Sequence, residues 1–147
     1  MKKTDDLFSL SLALTLTLIF MVVILNVYAA DQSICHSGAK IILQKSGSLK
    51  SCQLKDNYNE NNITCKNGGS ASFYENGKLE SCQLKDDYDA NKIRCKNGNS
   101  ISFYSNGKLQ SCVLYNSVFI GKNNCKADAV ISFYSNGRLK SCMKQDN

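Results

Sequence analysis

Ser100–Leu114 reads S-I-S-F-Y-S-N-G-K-L-Q-S-C-V-L, and the same pattern stands 30 residues to either side. Ser70–Leu84 is S-A-S-F-Y-E-N-G-K-L-E-S-C-Q-L, and Val130–Lys144 is V-I-S-F-Y-S-N-G-R-L-K-S-C-M-K. A worn copy, K-I-I-L-Q-K-S-G-S-L-K-S-C-Q-L, occupies Lys40–Leu54. Four copies at one period are the signature of a repeat array, in which each unit buries its apolar face only by stacking on a neighbour.

Inside each copy, Asn106-Gly107 and its equivalents Asn76-Gly77 and Asn136-Gly137 separate two alternating runs. That dipeptide predicts a two-residue hairpin with a type I′ turn. The register then sets Tyr104 opposite Leu109, Phe103 opposite Gln110 and Ile101 opposite Cys112. Strand alternation places Ile101, Phe103, Cys112 and Leu114 on a core face, with Tyr104, Leu109, Ser102 and Ser111 on the other. A second turn, Cys95-Lys96-Asn97-Gly98, pairs Cys95 with Asn99 and Ile93 with Ile101 if Gly98 is left-handed. The expected fold is all-β: antiparallel hairpins in a single-sheet meander, about three short strands per copy and about twelve in all. The copies run at about 35–54, 65–84, 95–114 and 125–144. Lys55–Asn62, Lys85–Lys92 and Tyr115–Lys122 are read as solvated connections, where variation and binding concentrate.

F-Y-x-N-G-K/R-L at Phe73–Leu79, Phe103–Leu109 and Phe133–Leu139 resembles the MORN-repeat variant family, whose units read roughly Y-Y-x-N-G-K-L-K. The chain departs from that pattern in its 30-residue period and its two cysteines per copy. The resemblance implies hairpins in a row and a role in interaction or scaffolding. It brings no catalytic residue.

Upstream of the repeats, Leu7–Leu25 carries no charge and is followed by Val27-Tyr28-Ala29-Ala30-Asp31. Two lysines in front and small residues near Ala29 suit a cleaved signal peptide over residues 1–29, leaving 30–147 as the repeat domain. An uncleaved anchor is the alternative, because the run is just long enough to span a bilayer. Cysteine usage agrees with export: an even count in a small domain reads as a disulfide framework. Cys35, Cys65, Cys95 and Cys125 form one series, and Cys52, Cys82, Cys112 and Cys142 the other. In a flat meander the two cysteines of one copy lie about 10 Å apart, beyond the ~7 Å that a disulfide bridges. Distance therefore favours Cys52–Cys65, Cys82–Cys95 and Cys112–Cys125, leaving Cys35 and Cys142 unpaired unless the array closes. Pairing within each copy would use all eight but requires a sharply curled repeat.

Catalytic and metal chemistry find little purchase. His36, the one histidine, takes a turn position held by lysine in the other copies, and has no orienting partner. Asp87-Tyr88-Asp89-Ala90-Asn91 suggests a calcium loop, yet Lys92 stands where the loop glycine belongs and no glutamate closes it. No catalytic, cofactor-binding or metal residue is assigned, and no cofactor is expected. Tyr74, Tyr104 and Tyr134, with Lys78, Lys108 and Arg138, form an aromatic and basic strip suited to glycan, polyanion or protein contact. Ordinary packing of Tyr on Leu, with lysines blunting sheet edges, accounts for the same residues. The chain carries a formal net charge of +6, but export argues against a nucleic-acid partner. The expectation is a periplasmic or secreted, non-enzymatic binding or scaffolding module of the bacterial envelope or exterior. Its partner would be an envelope protein or glycan, with membrane contact only through an uncleaved leader. A secreted effector, or an inhibitor of an envelope enzyme, is the alternative.

Overall fold

The computed structural model describes residues 31–145, so the signal-peptide expectation lies outside the described residues. Fourteen short strands follow a 3-10 turn at Gln32–Ile34. Eight form one antiparallel sheet in chain order: β1 (Ile42–Leu43), β2 (Leu49–Gln53), β5 (Ser70–Phe73), β6 (Leu79–Gln83), β9 (Ser100–Phe103), β10 (Leu109–Val113), β13 (Val130–Phe133) and β14 (Leu139–Cys142). The other six form three separate two-stranded ribbons: β3 (Tyr58–Glu60) with β4 (Ile63–Cys65), β7 (Tyr88–Ala90) with β8 (Ile93–Cys95), and β11 (Val118–Ile120) with β12 (Asn123–Cys125).

The expected all-β meander of hairpins is therefore present in the eight-stranded sheet. The ribbons depart from expectation, because they take in much of the stretches read as solvated connections. Their strands alternate like any half-buried strand: Tyr58 and Glu60 are half-buried around an exposed Asn59. At their tips Asn61 and Asn62 have φ of 49° and 65°, and Asn91 and Lys92 of 50° and 25°. Positive φ at both central residues is the primed geometry that two-residue hairpins need. It occurs here rather than at the Asn-Gly pairs.

At Asn106-Gly107 only the glycine is left-handed, with φ of 81°. The Gly107 N–H donates to the Tyr104 carbonyl and the Tyr104 N–H to the Lys108 carbonyl, which makes a three-residue loop. Phe103 then pairs with Leu109, and the register shifts before Ser102 meets Ser111. The extra residue is Gln110, a β-bulge. The bulge explains how Leu109 and Cys112, three positions apart, both turn inward, which a regular strand forbids. The expected pairs Tyr104–Leu109 and Phe103–Gln110 are corrected accordingly, and Leu109 moves to the core side. Ile101 still meets Cys112, since the longer loop and the bulge shift the register in opposite senses.

One buried row across the sheet runs Cys52, Ala71, Cys82, Ile101, Cys112 and Ile131. Its neighbour on the opposite face is a row of serines, Ser51, Ser72, Ser81, Ser102, Ser111, Ser132 and Ser141, cross-strand partners throughout. Within the last three hairpins these serines share hydroxyl hydrogen bonds, 2.7 Å for Ser72 to Ser81, 2.8 Å for Ser102 to Ser111 and 2.7 Å for Ser132 to Ser141. The ribbons cover the cysteine face: Ile63, Ile93, Cys65, Cys95 and Cys125 join Phe73, Phe103 and Phe133 in a single buried cluster. Tyr58 meets Phe73 edge-on at 5.5 Å, and Tyr88 meets Phe103 at 6.0 Å, both favoured aromatic geometries.

Disulfides join Cys35–Cys52, Cys65–Cys82, Cys95–Cys112 and Cys125–Cys142, with Cα separations of 5.6–5.7 Å. No cysteine among the described residues is free. The expected pairs Cys52–Cys65, Cys82–Cys95 and Cys112–Cys125 are thus wrong, as is the unpaired state of Cys35 and Cys142. The ~10 Å separation assumed that β8 lay in the sheet plane. Instead Ile93 pairs with Ala90 inside the ribbon, and Cys95 bridges to Leu114 at the end of β10. That places Cys95 directly over Cys112, so each disulfide ties a ribbon to the sheet beneath it.

Candidate functional site

Two features bear on binding: the expected tyrosine and lysine strip, and a concavity at the tip of the second ribbon. Tyr74 and Tyr104 do flank the sheet edge at the hairpin turns, but their hydroxyls are engaged. Tyr74 donates to the Phe103 carbonyl and Tyr104 to the Phe133 carbonyl, each at 2.8 Å and each 29 residues onward. In the worn copy Gln44 does the same, its amide donating to the Phe73 carbonyl at 3.0 Å. Burial, then the nearby Glu80, raises the Tyr74 pKa. Tyr134 stands 51% exposed. Lys78, Lys108 and Arg138 are exposed at the turns, each backbone N–H held by the preceding asparagine side chain. The strip is thus a row of bonds between repeats with cations along its rim.

The concavity, about 560 Å³, lies between the β7–β8 tip and the turns of the next two hairpins. Tyr88, Ala90, Phe103, Leu109 and Phe133 line it, with Lys108 at the rim. Its cause is visible one repeat earlier. There Glu60 folds inward from β3, accepting from the Leu79 N–H at 3.2 Å and from the Tyr58 hydroxyl at 2.9 Å. Burial and that hydrogen bond to Glu60 push the Tyr58 pKa up to about 12. Leu79 is left only 4% exposed. Thirty residues on, alanine stands at position 90 and Leu109 is half-exposed. In the third ribbon the position is Ile120, packed against the core.

The repeated frame is held by the same bonds in each copy. The loop before each ribbon caps the turn after it: Asn57 and Asp87 side chains accept from the Asn67 and Asn97 N–H, and the Ser117 hydroxyl from Ala127. Asp87 also meets Arg94 at 3.2 Å, so the acidic stretch expected to be solvated is in part structural. His36 sits at its turn with Nδ1 on the Ser37 carbonyl. Among the described residues no cluster of His, Cys, Asp or Glu has the arrangement of a metal site.

Of the six strip residues, the structure brings Lys108 alone to the concavity, which the sequence reading did not foresee. The signal was present in the Glu60, Ala90, Ile120 series, but it has meaning only once these positions are known to face inward. Residues 69–84 and 96–117 match the family model described as MORN repeat variant, and the chain carries repeats of that kind there. No curated protein and no solved structure matches the chain.

Proposed function

We propose that this array of MORN-variant repeats is an exported, non-enzymatic binding module, working in the periplasm or outside the cell. Four disulfides suit an oxidising compartment, and no helix among the described residues is long and apolar enough to cross a membrane. The observation that carries the binding reading is a division of labour inside the repeat. Phe73, Phe103 and Phe133, the cystines and the hairpin turns recur as one stapled frame. The ribbon positions facing the next hairpin differ from copy to copy: Tyr58, Tyr88 and Val118, then Glu60, Ala90 and Ile120. A rigid frame presenting variable tips is how binding scaffolds are built. Residues arranged for nucleophilic or acid–base chemistry have no place in this reading.

Export is tested by mass spectrometry of the protein from a secreting host, with an amino terminus expected at Ala30 or Asp31. An intact Met1 in the membrane fraction would contradict cleavage. Binding is tested by capturing envelope proteins and glycans with the oxidised chain and with variants altered at the tips. Capture that depends on positions 88–92 supports the reading. Capture indifferent to every ribbon tip, or none at all, counts against it.

A further inference from the structure

The first repeat shows what the second lacks. Glu60 is held by two donors, the Leu79 N–H and the Tyr58 hydroxyl, over an apolar bed that includes Phe73. Both donors recur one repeat later as the Leu109 N–H and the Tyr88 hydroxyl, with Tyr88 seated on Phe103 as Tyr58 is on Phe73. The acceptor does not recur, because position 90 is alanine. In the third repeat both members change, to Val118 and Ile120, and the apolar side chains pack onto the core. The pair of donors without its carboxylate therefore belongs to the second repeat, where the concavity lies.

We propose that this concavity binds a carboxylate on an apolar stem, which takes the place that Glu60 fills in the repeat before. The carboxylate accepts from the Tyr88 hydroxyl and the Leu109 N–H, both charge-assisted hydrogen bonds. The stem lies on Leu109, Phe103 and Phe133, and Lys108 at the rim supplies the opposite charge. Asp89 also borders the concavity, but it is exposed on the alternate face of β7 and paired in register with Arg94. The proposal rests on the reading of the chain as a binding module and gives that module a ligand class. The carboxylate could belong to a free organic acid or to a glutamate of a bound protein.

The test is an amide NMR titration of the oxidised mature chain with hexanoate, its neutral isostere hexanamide, and N-acetyl-glutamate N-methylamide. Hexanoate or the glutamate derivative is expected to shift the Leu109 amide saturably, while hexanamide leaves it in place. Whichever acid binds more tightly identifies the source. Ala90→Glu should abolish the response and move the Leu109 amide by itself, as an internal ligand would. Tyr88→Phe should weaken binding roughly tenfold. Equal shifts from hexanamide, an undiminished response in Ala90→Glu, or no response to either acid would overturn the proposal. The binding-module reading would still stand if tip-dependent capture persisted, so the two fail separately.

Discussion

The Tyr104 hydroxyl donates to the Phe133 backbone carbonyl at 2.8 Å, tying the tip of one hairpin to the first strand of the next. Tyr74 makes the same bond to Phe103. Both carbonyls lie at strand ends where the loop and bulge interrupt regular pairing, so a side-chain donor satisfies an acceptor the ladder would leave short. Tyr74 and Tyr104 of the strip thus tie successive repeats together.

Removing only the hydroxyl isolates this effect. Tyr104→Phe and Tyr74→Phe should each cost about 0.5–1.5 kcal/mol, whereas Tyr134→Phe, at a residue 51% exposed, should change little. Urea melts of the three variants check the contrast.

Phe103 is 4% exposed and packs in a T-shaped arrangement with the Tyr88 ring. Phe103→Ala should cost about 3–5 kcal/mol, and Tyr104→Ala distinctly less. Thermal melts that ranked them the other way would mean that the hairpin register is shifted by one residue.

These contrasts mark how much could be read in advance. Ile101, Phe103, Cys112 and Leu114 were legible as core residues because they obey the alternation of a strand on both sides of the turn. Leu109 was not, since its inward position depends on the bulge at Gln110, and no residue type announces a bulge. The ribbons were obscured by composition: K-D-N-Y-N-E-N-N looks like loop, yet tyrosine and glutamate turn inward while asparagines form the tip. With the ribbons taken as loops, the cystine pairing and the concavity beneath the second tip were both out of reach.

Alkaline pH probes the first ribbon. The Tyr58 pKa is raised from 10.0 to about 12, mainly by burial and then by Glu60. The folded state therefore holds its proton where the unfolded state has lost it. The stability linked to this group is fully present below pH 10, and it falls as pH rises towards 12. Tyr58→Phe should flatten that decline relative to wild type, as urea midpoints between pH 9 and pH 12 would show.

Each disulfide closes a sequence separation of 17 residues. Replacing Cys95 and Cys112 together with serine should cost about 3 kcal/mol on the chain-entropy account. The loss should be largest in amide-exchange protection of the second ribbon, which the bond ties to β10.

Everything proposed for the ribbon tips depends on the ribbons lying over the sheet, and the cystine pairing reports that placement directly. Non-reducing proteolysis and mass spectrometry of the oxidised chain should recover peptides linked as Cys65–Cys82 and Cys95–Cys112. Recovery of Cys82–Cys95 and Cys112–Cys125 instead would lay the ribbons flat in one meander and remove the concavity with them.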